Sequence, residues 1–122
     1  MATSLLTNAG KAILTNRIIG GGTQPTYIGW GTGAGITNAT DTSLFTESGT
    51  RVSGGGSVVT SYTTNDSYQV IATLTSSSTQ TITNVGLLDA STAGNLFIKG
   101  DFTGIPLVAT DAIQFTIKCT FV

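Results

Sequence analysis

The stretch Asp111-Ala112-Ile113-Gln114-Phe115-Thr116-Ile117-Lys118-Cys119-Thr120-Phe121 decides the fold class. Ile113, Phe115, Ile117, Cys119 and Phe121 fall on one side of an extended chain, and Gln114, Thr116, Lys118 and Thr120 on the other. Successive side chains of a strand point to opposite faces, so this period of two reads as a half-buried antiparallel strand. Its length predicts a central place in the sheet. Working back from it, Ser67 to Thr75 repeats the pattern, with Tyr68, Val70, Ala72 and Leu74 on one face. Gln80 to Leu88 and Asn95 to Phe102 read as two further strands. Between the strands stand Asn65-Asp66, Ser76 to Thr79 and Asp89 to Gly94, residue types that build turns. Residues 104–110, with Pro106, read as a loop. Arg51 to Thr64 alternates loosely around Gly54-Gly55-Gly56, which predicts a bulge or an edge strand. The fold expected is mainly β: an antiparallel β-sandwich, jelly-roll-like, with a short N-terminal helix.

Upstream of residue 51 the pattern changes. Tyr27-Ile28-Gly29-Trp30-Gly31 is a short strand, and residues 36–50 read as a polar loop anchored by Leu44-Phe45. Gly29, Gly31, Gly33 and Gly35 leave bare backbone along one face, the usual mark of another backbone or a large ring close by. They do not make a phosphate loop, because neither a following Gly-Lys-Ser/Thr nor the GxGxxG spacing is present. The one helical signal runs from Ser4 to Asn16, where Leu5, Ala9, Ala12 and Ile13 recur at three- and four-residue spacing beside Leu6. Thr3 or Ser4 is its expected N-cap. Gly10 weakens it, and Gly20-Gly21-Gly22 ends it as a turn or hinge. One domain is the natural count for 122 residues, with residues 1–22 as helix, arm and glycine-rich hinge. That arm is the part least committed to the sandwich and is expected to touch a neighbouring subunit.

The chain is poorly equipped for chemistry. It has no histidine, one cysteine and eleven charged side chains, the sum of five basic and six acidic residues. General acid–base catalysis, metal ligation and nucleophile activation draw mainly on the groups it lacks. Asp41, Glu47, Asp66, Asp89, Asp101 and Asp111 are the only carboxylates on side chains, and no two lie within five residues of each other. Calcium loops need ligands at shorter alternating spacing. A glycosidase pair would have to be assembled by the fold. Asp66, Asp89 and Asp111 border predicted strands and are expected to cap turns. Cys119 reads as a small buried hydrophobe. We expect no catalytic, cofactor-binding or metal-binding residue, and no enzyme.

Partners are bounded in the same way. Lys11, Arg17, Arg51, Lys99 and Lys118 are far apart, whereas nucleic-acid binding needs clustered cations. No apolar run reaches the roughly 20 residues of a membrane span, and the first residues lack the pattern of a secretory signal. A single cysteine forms no internal disulfide, in keeping with folding in a reducing cytoplasm. Asn38-Ala39-Thr40 and Asn65-Asp66-Ser67 match the glycosylation sequon by composition alone. Tyr27, Trp30, Tyr62 and Tyr68 could form a carbohydrate platform only if they faced solvent together. Charged residues are 9% of the chain against the roughly 25% of ordinary domains, and mean hydropathy is +0.27. So weakly charged a surface resists self-association poorly, and homo-oligomerisation is expected.

Five segments carry a family resemblance. They are Thr26-Tyr27-Ile28-Gly29-Trp30-Gly31-Thr32-Gly33, Thr40-Asp41-Thr42-Ser43-Leu44, Ile82-Thr83-Asn84-Val85-Gly86-Leu87-Leu88-Asp89, Gly94-Asn95-Leu96-Phe97-Ile98-Lys99-Gly100-Asp101-Phe102 and Asp111-Ala112-Ile113-Gln114-Phe115-Thr116. In this order they resemble small virion structural proteins of tailed bacteriophages, including cyanophages, and most of all capsid cement (decoration) proteins. Leu88 departs from the resemblance, which often has Phe there. The motifs are strand-and-turn motifs and speak to fold and virion context. The resemblance implies a capsid cement protein over junctions of the major capsid protein, trimeric, made in the host cytoplasm and placed on the virion surface. A tail component (adaptor or fibre module) is the alternative implied, and a host-glycan-binding module a more distant one.

Overall fold

A computed structural model describes residues 3–122. The chain runs β1 (Thr3–Leu6), α1 (Asn8–Ile18), β2 (Tyr27–Gly31), β3 (Glu47–Ser53), β4 (Gly56–Val59), β5 (Ser67–Thr75), β6 (Gln80–Leu88), β7 (Leu96–Leu107) and β8 (Ala112–Thr120). Two antiparallel sheets pack together: a larger one in the order β1-β7-β6-β2-β3, and a smaller one in the order β4-β5-β8. The expected antiparallel sandwich with one short helix is what this sequence forms.

The alternation read from the sequence sets the inner faces. Val70, Ala72 and Leu74 of β5 are buried, while Ile71, Thr73 and Thr75 between them are exposed. They meet Ile28, Trp30, Leu87 and Phe97 from the larger sheet. Trp30 is 2% exposed and stands edge-on to Phe115, their centroids 6.2 Å apart. Such a pair contributes about 0.5–1.5 kcal/mol beyond the area it buries. Two register shifts re-aim side chains in β6 and β7, one between Ile82 and Asn84 and one between Leu87 and Leu88. A bulge lets Ile82 and Phe97 join the inter-sheet core, while Leu88 and Leu96 pack with Leu44 in a second cluster.

The N-terminal reading needs correction. Helix α1 starts at Asn8, not Ser4, and its N-cap is Thr7, not Thr3 or Ser4. Residues 3–6 are strand, paired antiparallel with β7 from Thr3↔Asp101 to Leu6↔Ile98. Four residues are too few to display a period of two, so the local pattern favoured a helix that long-range pairing overrides. The first part of the expected arm is therefore built into the larger sheet. Met1 and Ala2 lie outside the described residues. The Thr7 hydroxyl accepts from the Gly10 amide at 2.9 Å and donates to the Leu96 carbonyl at 2.5 Å, tying helix to sheet. Gly10, which weakens the helix locally, lets it dock: a Cβ there would strike the Phe97 carbonyl and the Leu6 side chain. The helix ends in a hydrogen-bonded stop and not a loose hinge. Gly20 takes φ +84°, its amide donates to the Arg17 carbonyl, and the Gly21 amide donates to the Asn16 carbonyl. That is the Schellman pattern.

Three further expectations change. Residues 47–50 belong to strand β3, which pairs with β2, so the loop is shorter than residues 36–50 suggested. Pro106 lies within β7, opposite Thr81, and not in a loop. Among the described residues β1 pairs with β7 only up to Asp101, so no described strand flanks Pro106 on the side away from β6, where a missing N–H is tolerated. Strand β8 is an edge strand and not a central one. Its length reflects its nine-residue pairing with β5, whose other side is already taken by β4. The segment around Gly54-Gly55-Gly56 is a corner at which the chain leaves the larger sheet in β3 and enters the smaller one in β4, both at sheet edges.

Candidate assembly surface

Part of the outer face of the larger sheet is covered by the chain itself. Residues 32–46 cross it on the bare positions of the glycine row. A Cβ on Gly31 would collide with the Phe45 carbonyl and Asn84, one on Gly33 with Phe45 and Thr46, and one on Gly35 with the Phe45 ring. Both kinds of neighbour expected of such a row, a backbone and a large ring, are present. Asn84 is fully buried: its Oδ1 accepts from the Phe45 amide at 3.0 Å, and its Nδ2 donates to the Phe45 carbonyl at 3.1 Å. Lys99, also fully buried, reaches out to the loop. Its Nζ is 2.9 Å from the Asp41 carboxylate and 3.1 Å from the centre of the Phe45 ring. Burial alone would raise the Asp41 pKa. The Asn38 amide and the Lys99 ammonium outweigh it and hold the carboxyl below its usual value. Sequence reasoning missed Lys99 because an isolated lysine in a strand looks like any solvent-facing one.

The carboxylates serve turns. Asp66 accepts from the amides of Thr63, Ser61 and Tyr62, which keep its pKa well below the usual range. Asp89 accepts from the Asn95 amide and Asp111 from the Val108 amide, so all three expected caps are in place. Asp101 accepts from the Thr37 amide, and Glu47 takes a bidentate pair from Arg51. Among the described residues no group of three His, Cys, Asp or Glu side chains converges as a metal cluster. Cys119 packs half-buried against the core, and burial pushes its thiol pKa up, away from the reactive thiolate. Trp30 is buried and the Tyr68 hydroxyl donates to the Pro25 carbonyl at 2.6 Å, whereas Tyr62 is 81% exposed. The four candidate platform aromatics are not brought together on one open face.

What the surface does present is apolar. Ile18, Ile19, Ile36, Val108 and Phe121 are all more than half exposed. Beside the helix end a groove of about 390 Å³ opens between α1 and the smaller sheet, lined by Ile13, Leu14, Pro25, Val58, Tyr68 and Phe97. At the same end of β5 and β8, Tyr62 and Phe121 flank the Asp66 turn, where the Phe121 amide donates to the Asp66 carbonyl. No helix among the described residues is long and apolar enough to cross a membrane.

No family model, curated protein or solved structure matches this chain.

Proposed function

We propose that this chain is a structural protein of a tailed-phage virion, a capsid cement that binds over junctions of the major capsid protein. The observation that supports an assembly role is the surface: large apolar side chains stand exposed on a sandwich in which only 9% of residues are charged, while the family resemblance supplies the virion setting. Exposed apolar area of this kind marks surfaces that other proteins cover. The loop packed on the larger sheet, the capped helix and the three aspartate turns are each held by hydrogen bonds within the chain, which lowers the ordering cost of binding. In this reading copies associate as trimers at the points where shell subunits meet.

The work is done by mass action. A protein that binds the assembled shell and not its separated subunits stabilises the shell by RT ln(1 + [L]/Kd), about 2.7 kcal/mol per site at a hundredfold excess over Kd. No bond needs to be made or broken. The test is to mix the purified protein with expanded shells of the major capsid protein of its own phage. Cosedimentation at a fixed copy number, with a raised temperature of shell disruption, is the result expected. Binding to purified tails in place of shells, or to neither, would overturn the assignment.

A further inference from the structure

The edges of the two sheets are not treated alike. Among the described residues strands β1 and β4 have four residues each, and β4 follows the glycine corner. Strand β3 faces a register shift in its pairing with β2 and carries the Glu47–Arg51 ion pair. Natural sheets blunt exposed edges in these ways, with short strands, bulges and charge. Strand β8 has none of this protection beyond one lysine. Its nine residues pair with β5 in unbroken register, contain neither proline nor glycine, and pair with no other described strand. Among the described residues no strand pairs with the other side of its backbone, over a length of about 30 Å.

A groove of about 310 Å³ runs beside that edge. Its floor is a strip of the larger sheet, where Val85, Ile98 and Phe102 are only partly buried, and Ser4 of β1 lines it as well. The larger sheet thus extends past β8. Two whole sandwiches brought together β8 to β8 would run these extensions into each other, whereas a single strand, which needs about 4.8 Å of width, fits beside the edge. Lys118 lies at the groove and has no hydrogen-bond or ion-pair partner among the described residues, whereas Asp101, the other charged residue lining it, already accepts from the Thr37 amide.

We propose that this slot takes one extended segment of a partner protein, which adds to β8 as a fourth strand of the smaller sheet. The open edge supplies the main-chain hydrogen bonds, as in other cases of strand addition. The floor selects apolar residues at alternate positions, above Val85, Ile98 and Phe102. Lys118 selects a carboxylate beside it. Under the reading in the preceding subsection, on which the partner's identity rests, the segment belongs to the shell protein.

The test compares the full-length protein with Lys118→Glu and Ser4→Trp in cosedimentation with expanded shells. Both sites are exposed, so the folded protein is kept, which matching urea midpoints by circular dichroism would verify. Reversing the charge and filling the slot should each weaken shell binding by about tenfold or more. Hydrogen exchange of residues 112–120 should slow in the shell-bound protein relative to the free one. If the wild type binds shells and both variants bind equally well, or if β8 exchanges equally fast when bound, the slot is not the docking site. If the variants instead break up an oligomer of the free protein, the occupant is a second copy and the proposal is overturned. A wild type that ignores shells altogether removes the cement reading first, and the named donor with it.

Discussion

Replacing Gly31 with alanine tests whether bare backbone seats the 32–46 segment on the larger sheet. A Cβ there has no room, since the Phe45 carbonyl and both polar atoms of the Asn84 side chain lie against it. Overpacking a fitted site costs about 1–3 kcal/mol. Moving Phe45 away also breaks its two hydrogen bonds with Asn84, which is fully buried and would be left unsatisfied at a further cost of about 1–3 kcal/mol. The sum is about 2–6 kcal/mol, a large part of the total stability of about 6–18 kcal/mol expected for a chain of this length. Trp30 is the only tryptophan and is buried on the opposite side of the same strand, so its fluorescence reports unfolding in a urea titration. Gly21→Ala is the matched control. Its nearest foreign atom would be the Asn16 carbonyl oxygen at 3.6 Å and its φ is not in the left-handed region, so the change should stay within about 0.5 kcal/mol of wild type. If Gly31→Ala unfolds at the same midpoint as Gly21→Ala, the account of the glycine row is wrong.

Other substitutions probe the remaining joints. Thr7→Ala removes the helix cap and strands the Leu96 carbonyl, for a loss of about 2–4 kcal/mol, which Thr7→Ser should largely restore in the same titration. Asp41→Asn should cost more than Lys99→Met, because the first leaves a fully buried ammonium without its anion, while the second leaves a carboxylate that is 20% exposed. Equal losses in urea titrations of the two variants would refute that ordering. The depressed pKa values of Asp41 and Asp66 stabilise the folded state above the ordinary carboxylate range. Their contribution is complete above about pH 5 and is lost as the pH falls below about 4. Urea midpoints should therefore be flat from pH 7 to 5 and fall by pH 3, with a shallower fall in Asp66→Asn; a midpoint unchanged at pH 3 would contradict the assignment.

What the residues determined by themselves was local. Alternating apolar side chains marked the inner faces of β5 and β8, aspartates at strand ends marked turns, and the row from Gly29 to Gly35 foretold a close neighbour on one face. Each of these follows from chemistry within a few residues: side-chain period, turn hydrogen bonding and the absence of a Cβ. Tertiary structure decided which strand lies beside which. Thr3 pairs with Asp101, far along the chain, and that pairing turned an expected helical turn into strand β1. It also fixed β8 at an edge, put Pro106 where no described strand flanks β7 on one side, and sank Lys99 beneath the loop that carries Asp41 and Phe45. A period of two names the two faces of a strand and says nothing of its neighbours, because edge and centre are set by hydrogen bonds to segments distant in sequence. The open side of β8, on which the proposed docking depends, was therefore invisible until the sheets were assembled.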